Sequence, residues 1–217
     1  PGTPVLLGSQ SCTADLASGQ IAGGSPEGAL CYKNVANLSD FYGLPSRGGG
    51  AITDSKIVDA QSGYESMLTL MACYLNHMNL IIHAAGILEG YNATSFEKVL
   101  QDFEVLNHVK RYVREFDINE DTLALEEIEE VGHSGEYITS EHTLEWCRKE
   151  PMMPEVSSRA VVPDPVNQFQ NRLEAYKARL LKKYVKPEID AEKLAQIKDI
   201  FEKAGLPRTW MDMVDEL

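Results

Sequence analysis

The 217-residue sequence predicts an α/β fold in which a layer of parallel strands and helices is followed by a region of helices only. A short apolar run followed by a helical pattern occurs three times before Arg114, which is typical of strand–helix units in a parallel sheet. Beyond Arg114 the apolar spacing is helical throughout. Hydrophobic residues make up 43% and charged residues 24% of the chain, so it can bury one sizeable core.

The first strand–helix unit lies near the start of the chain. Residues 5–9 form a short apolar run that ends in polar residues, as a buried parallel strand does. The following helix is predicted over residues 26–42, because Ser25 is a good N-cap and Pro26 suits the first helical position. Gly43 is expected to end it.

Two further units follow directly. The second strand is predicted over residues 45–50, and its helix over residues 61–76, where the apolar residues share one face. Residues 79–83 form the third strand, and the third helix is predicted over residues 95–114. Because crossover connections between parallel strands are right-handed, the carboxyl ends of all three strands should face the same side.

The start of the third helix and the rest of the chain show other local signals. Thr94 precedes Glu97 by three residues, which predicts a capping box. A proline-rich segment over residues 151–165 predicts a linker. The remaining helices are predicted over residues 120–131, 140–149, 166–184, 191–204 and 209–216.

The charge of the chain excludes one class of partner. Its formal net charge is −13, and no basic stripe with interleaved aromatic residues is present, so we expect no binding to nucleic acid. Acidic residues are concentrated over residues 115–130, where no Lys or Arg occurs. That run is interpreted as a solvated face, and a docking surface for a basic partner is the alternative.

The cysteines and the apolar segments indicate a cytoplasmic protein. The four cysteines are far apart and form no CxxC pair, so neither a zinc ribbon nor a disulfide framework is predicted, and the thiols should stay reduced. The most apolar region, residues 67–88, is interrupted by Asn76, His77, Asn79 and His83. It is therefore interpreted as a buried helix and strand rather than as a membrane span.

Three successive glycines, residues 48–50, end the second predicted strand and open into the polar loop Ala-Ile-Thr-Asp-Ser-Lys. Glycine has no Cβ, so the backbone there can be approached closely by a ligand or a partner. Barrels of alternating strands and helices place their chemistry at the carboxyl ends of the strands. A glycine-rich turn without function is the alternative interpretation.

Five segments carry a resemblance to one known family. They are GGSPE at residues 23–27, GGGAITDSK at residues 48–56, HAAGILE at residues 83–89, GHSGEY at residues 132–137 and HTL at residues 142–144. In these segments the chain resembles the trimethylamine methyltransferase superfamily. The resemblance implies part of a (β/α)8 TIM barrel, with residues 1–150 as its carboxyl-terminal half and residues 151–217 as a linker and helical C-terminal extension.

The resemblance also implies a reaction. Ile52 stands where family members that demethylate trimethylamine carry pyrrolysine, so the chain is more similar to the non-pyrrolysine branch. Known members of that branch demethylate quaternary amines such as glycine betaine, in one-carbon metabolism of the methanogenic or acetogenic kind. They pass the methyl group to a corrinoid protein. The expected partner is therefore a corrinoid protein that supplies cobalamin, with no cofactor bound tightly by this chain.

The matched segments belong to one half of a longer family, and the first residue is not Met. We therefore expect a piece of a larger barrel. Three strands cannot close a barrel, which needs about eight, so an apolar sheet edge and face should be exposed unless another chain, such as a second copy, covers them. A non-catalytic binding or assembly fragment is the alternative to an active methyltransferase.

His83 and Tyr91 are the first candidates for substrate binding. His83 ends the third strand, where it can donate a hydrogen bond to the carboxylate of a betaine, or can be a satisfied core histidine. A quaternary ammonium has no N–H and is usually held by aromatic faces. Tyr91 lies in the loop after this strand and is expected to provide one, although it can equally pack on its own helix.

Gly50, Ile52 and Glu89 complete the predicted site. Gly50 and Ile52 should border the mouth of the barrel beside His83, with Ile52 keeping it dry or, alternatively, packing under the loop. Glu89 is expected to order its loop, and Asp54 to do the same after the second strand. No residue is predicted to act as an acid or base. His133, Glu136 and His142 match no metal-binding motif, so no metal site is predicted.

Overall fold

Three short strands precede the first helix, strands and helices then alternate up to Val113, and the described residues beyond it form helices but no strand. The computed structural model describes residues 2–9, 11–207 and 209–210. The strands are β1 (Leu7–Gly8), β2 (Thr13–Ala14), β3 (Ile21–Ala22), β4 (Ser46–Gly50) and β5 (Leu80–His83). The helices are α1 (Pro26–Tyr42), α2 (Ala60–Leu75), α3 (Phe96–Val113), α4 (Glu120–Leu123), α5 (Leu125–Val131), α6 (Glu141–Trp146), α7 (Gln168–Lys183) and α8 (Ala191–Lys203).

Three of the strands form one parallel sheet in the order β1-β4-β5. Leu7 is paired with Ser46, and Gly50 with His83, so the carboxyl ends of β4 and β5 are level. The prediction of three adjacent parallel strands with helices between them is confirmed. β1 is shorter than predicted, because only Leu7 and Gly8 pair with β4.

A small antiparallel ribbon, which the sequence analysis did not predict, lies between β1 and α1. β2 and β3 pair through Thr13 with Ala22 and Ala14 with Ile21. The Asp15 carboxylate closes the turn between them by accepting a hydrogen bond of 2.9 Å from the Ser18 amide. Strands of two residues are too short to show the alternating pattern by which strands are recognised.

The helix caps explain where the helices begin. Ser25 accepts a hydrogen bond from the Gly28 amide and Gly43 is left-handed, so α1 has the predicted bounds. The capping box predicted from Thr94 and Glu97 is wrong. Ser95 is the N-cap of α3, and its side chain accepts from the amide of the residue three positions later. Adjacent hydroxyl residues make this choice hard to read from spacing alone.

The predicted helix over residues 120–131 is divided in two. Ala124 has a left-handed φ of 48° and separates α4 from α5. The sequence around it is rich in Glu, and like charges three or four residues apart weaken a continuous helix. α6 is shorter than predicted, α7 and α8 lie where they were expected, and residues 211–216 of the last predicted helix lie outside the described residues.

The proline-rich segment has no helix, as predicted, but its middle packs on α3. The Glu104 carboxylate accepts hydrogen bonds of 2.8–3.0 Å from the amides of Glu155, Val156 and Ser157. Val156 is fully buried against α3 and α7 in a cluster with Leu100 and Leu173. The chain divides into compact units at Pro1–Lys177 and Ala178–Leu217. The predicted boundary at residue 150 stays a prediction.

The sheet has two open edges within the described residues, because β1 and β5 pair on one side only. Leu80 and Ile82 of β5 are 44% and 50% exposed, so the expected apolar sheet surface is present. The side chains on the other face of β5 point inward, and Ile81 packs against the two core clusters that contain Leu70 and Cys73. No helix within the described residues is both long and apolar enough to cross a membrane.

Replacing Gly50 with Ala should destabilise the protein by at least about 2 kcal/mol, because φ is +108° and a Cβ would lie 2.5 Å from the His83 carbonyl oxygen. Thermal or urea unfolding measures the loss. Gly63→Ala is the matched control: this glycine is helical and its nearest neighbour would be 3.5 Å away, so the change should be neutral or stabilising. Equal losses for both variants would contradict the explanation.

Candidate functional site

The three glycines of β4 make room for side chains of this chain. A Cβ on the first would lie 2.4 Å from Met78 Sδ, on the second 2.1 Å from the Tyr32 hydroxyl, and on the third 2.5 Å from the His83 carbonyl oxygen. Each distance is too short for a real side chain. The glycines therefore allow α1 and the β5 strand end to close onto β4, and they bring Tyr32 to the carboxyl end of the sheet.

Buried and half-buried carboxylates hold the loops that follow β1 and β4. The two oxygens of Asp54 accept hydrogen bonds of 3.0 Å from the Gly23 and Gly24 amides, which lie 31 and 30 residues earlier. Glu65 of α2 accepts from the Thr53 hydroxyl and, at 2.8 Å, from the Asp54 amide. Asp54 therefore orders its loop, as expected, and also joins it to the loop before α1.

The loop after β5 is held by its backbone. The Glu89 amide donates to the Ser55 carbonyl at 2.8 Å, and the Gly90 amide donates to the Thr53 carbonyl at 3.0 Å. Glu89 and Tyr91 both have positive φ, at 48° and 82°, which is a strained conformation for residues other than glycine. Glu89 thus contributes its backbone to loop order. This geometry aims the Tyr91 side chain back toward β5.

His83 and Tyr91 form an edge-to-face pair at the end of β5. Their ring centroids are 5.0 Å apart, with the ring planes at 78°. His83 Nδ1 is buried and has no hydrogen-bond partner among the described residues. Burial, and then the positive charge of Arg47, lower the pKa of His83, so its imidazole is neutral near pH 7. The unsatisfied nitrogen makes His83 a candidate for binding a polar group.

Arg47 of β4 is a site residue that the sequence analysis missed. Its side chain passes over Gly8 of β1. A Cβ on Gly8 would lie 2.8 Å from Arg47 Cδ. Its positive charge helps to lower the pKa of His83, and it opposes the rise that burial causes in the pKa of Tyr91. No hydrogen bond or ion pair engages its guanidinium in the part of the chain that the structure describes. In the sequence, a single Arg before three glycines is typical of an exposed charge. Its position relative to His83 and Tyr91 becomes visible only once the strands are paired.

Tyr32 connects Arg47 and Tyr91 into one cluster. Burial raises the pKa of Tyr32 far above its ordinary value, and burial also raises the pKa of Tyr91. The two phenol groups lie close enough for each to affect the pKa of the other. Both hydroxyls therefore keep their protons near neutral pH. The cluster thus combines an imidazole and two aromatic rings with the electrostatic influence of a cation from the amino-terminal part of β4.

Ile52 lies beneath this cluster. It is 1% exposed and packs with Tyr32 and Cys73, and its amide donates a hydrogen bond of 3.1 Å to Thr69 Oγ1. We expected its side chain to face the mouth beside Gly50. This burial agrees with the alternative interpretation, in which Ile52 packs under the loop. Direct contact between Ile52 and a ligand stays a prediction.

The other polar residues singled out in the sequence lie elsewhere. Within the described ranges, no three His, Cys, Asp or Glu side chains are grouped closely enough to hold a metal ion. His142 lines a cleft of about 570 Å³ together with Phe116 and Trp146. This cleft adjoins the carboxyl end of α3, whereas the His83 cluster adjoins the loop that leads into the amino end of that helix.

The comparisons with known proteins agree with this architecture. A family model described as trimethylamine methyltransferase (MTTB) matches residues 1–205. The chain belongs to the trimethylamine methyltransferase family. It is 39% identical over 208 residues to the glycine betaine methyltransferase of Desulfitobacterium hafniense (strain Y51), a match that covers 94% of this chain and 43% of that relative.

Two other members of the family are also similar. The L-carnitine:corrinoid methyltransferase of Eubacterium limosum is 34% identical over 161 residues, which cover 73% of this chain and 33% of that relative. The trimethylamine methyltransferase MttB1 of Methanosarcina mazei (strain ATCC BAA-159 / DSM 3647 / Goe1 / Go1 / JCM 11833 / OCM 88) is 32% identical over 208 residues, which cover 94% and 42%. The chain thus spans less than half the length of these family members.

Replacing Arg47 with Gln should raise the pKa of His83 toward its ordinary value. A neighbouring positive charge disfavours the imidazolium ion and so lowers the pKa, and the substitution removes that charge. NMR titration of the His83 ring, assigned with a His83→Gln variant, measures the change. Arg114→Gln, which removes an equal charge beside Glu150, should leave the His83 pKa unchanged. An unchanged His83 pKa in the Arg47 variant would show that the charge of Arg47 does not act on His83.

Proposed function

We propose that this chain forms part of a cytoplasmic (β/α)8 methyltransferase that transfers a methyl group from a quaternary amine, with glycine betaine preferred, to Co(I) of a separate corrinoid protein. The family and the names of its similar members support this proposal. The parallel sheet also supports it, because the loops at its carboxyl end carry the cluster of His83 and Tyr91. The corrinoid is then a substrate that arrives on its own protein.

The observation that supports the preference for a betaine is the unsatisfied Nδ1 of His83, together with an uncompensated Arg47 guanidinium whose charge acts on the His83 ring. Arg presents donors in a fork that matches a carboxylate, and a protonated nitrogen of His83 can add another donor. The Tyr91 ring, which is 42% exposed, offers a π face to a trimethylammonium group, at about 0.5–2 kcal/mol. A betaine carries both groups, whereas trimethylamine has no carboxylate.

The methyl transfer itself needs no general acid or general base from the protein. The bond between nitrogen and the methyl carbon breaks with both electrons remaining on nitrogen, while a new bond forms between that carbon and cobalt. Cobalt is formally oxidised from Co(I) to Co(III), and dimethylglycine leaves as a neutral tertiary amine without needing a proton. The residues of this chain bind the carboxylate, orient the methyl group outward and exclude water. Ile52, which has no reactive group, is compatible with such a substrate.

Turnover by the complete enzyme tests this proposal. Purified enzyme, reduced corrinoid protein and glycine betaine should yield dimethylglycine and methylated corrinoid, while trimethylamine should yield no dimethylamine. Omission of the corrinoid protein is the control for product formed without an acceptor. Betaine binding without any product would favour the alternative function, that of a non-catalytic binding domain. Efficient demethylation of trimethylamine would contradict the substrate class.

Arg47→Gln and His83→Ala should each weaken glycine betaine binding by about 1–3 kcal/mol, which is roughly 5- to 150-fold in Kd. Both substitutions remove a donor to the carboxylate. Calorimetry on the complete enzyme should show much smaller losses for tetramethylammonium, which has no carboxylate. Tyr91→Leu should weaken both ligands, because it removes a ring from the ammonium site. Equal losses for both ligands in the Arg47 and His83 variants would exclude a carboxylate role for these residues.

A further inference from the structure

A buried ion pair between α2 and α3 takes no part in the proposed chemistry. Lys98 and Asp102 stand one turn apart on α3, and both side chains are completely buried. Lys98 Nζ contacts an oxygen of Asp102 and donates a hydrogen bond of 2.7 Å to Ser66 Oγ of α2. Removing two charges from water is costly, so stability alone is a weak reason for such a pair. What it holds in place is more informative.

The second oxygen of Asp102 leads to the loop that carries Tyr91. It accepts a hydrogen bond of 2.8 Å from the amide of Gly86, three residues after the end of β5. Gly86 has a φ of +95°, and a Cβ there would lie 3.0 Å from Val99, so the loop turns tightly against α3. Asp102 thus fixes the beginning of this loop, and the carbonyls of Thr53 and Ser55 fix its later part.

A strained segment needs such support. Glu89 and Tyr91 adopt strained left-handed conformations, which persist only where the surroundings enforce them. The charges that face Lys98 are those of Asp102 and Glu65. Burial lowers the pKa of Lys98 and raises that of Asp102, while the opposite charge of each acts against the change.

We propose that Asp102 is a positioning residue: through the Gly86 amide it holds the loop that sets Tyr91 against His83, and Lys98 keeps its carboxylate in place. The part of this inference that concerns ligand binding rests on the proposed function. The part that concerns the geometry of His83 and Tyr91 is independent of it. Asp102 touches no substrate and acts only through the loop.

Two variants and one control test the inference on the complete enzyme. Asp102→Asn leaves Lys98 buried without its counter-charge and can fail to fold. The double variant Lys98→Met with Asp102→Leu removes both charges and leaves no buried ion, a change that proteins often tolerate. Glu104→Gln is the control, because Glu104 lies on the same helix and holds backbone amides of residues 155–157 instead of Gly86.

In the folded double variant, the Gly86 amide should exchange with solvent at least tenfold faster. The pKa of His83 should rise because Tyr91 no longer covers its ring. The Kd for glycine betaine should increase at least tenfold. Glu104→Gln should lower the unfolding temperature but leave all three quantities unchanged. Unchanged exchange and His83 pKa in the double variant, or equal changes in Glu104→Gln, would overturn the inference. A wild-type enzyme that binds no betaine would refute the proposed function alone, because amide exchange and the His83 pKa would still decide the role of Asp102.

Discussion

The absence of side chains on residues 48–50 is the constraint on which the rest of this structure depends. The Tyr32 hydroxyl, Met78 Sδ and the His83 carbonyl occupy the space that three Cβ atoms would fill. Glycine within a strand loses more conformational entropy on folding than other residues, so such a run is unfavourable by itself. The close packing of α1, α2 and β5 on β4 offsets that cost. It also produces the arrangement in which two tyrosines, a histidine and an arginine meet.

Carboxylates then keep the mouth of the sheet in one shape. Asp54 binds the loop after β1, Glu65 binds the loop after β4, and Asp102 binds the loop after β5. Each accepts backbone amides that would otherwise be left unsatisfied in a partly buried place. A rigid mouth of this kind loses little entropy when a small ligand binds, which is the condition for orienting a methyl group toward an acceptor. Arg47, in turn, stands out in a chain with 33 acidic and 20 basic residues, because no carboxylate of the described residues neutralises it.

Much of the fold could be predicted from local signals, whereas the site depends on long-range contacts. Ser25, Pro26 and Gly43 predict α1 because caps act within one turn of the chain. The hairpin of β2 and β3 has too few residues to show the alternating pattern of a strand. The left-handed residue that divides the helix is Ala124, and a break is hard to predict where no glycine occurs. His83 and Tyr91 could be proposed from the sequence because one ends a predicted strand and the other lies in the loop that follows it. Arg47 and the pair of Lys98 and Asp102 could not, since their roles arise from partners on other elements.

We propose that Arg47 and His83 receive the carboxylate of a betaine while the Tyr91 ring faces its ammonium group. A crystal structure of the complete enzyme with glycine betaine would show whether they do. We expect carboxylate oxygens within about 3 Å of the Arg47 guanidinium and the His83 ring. The methyl groups should lie against the Tyr91 ring, within about 6 Å of its centroid. A betaine bound with its carboxylate away from Arg47 and His83 would contradict the claim.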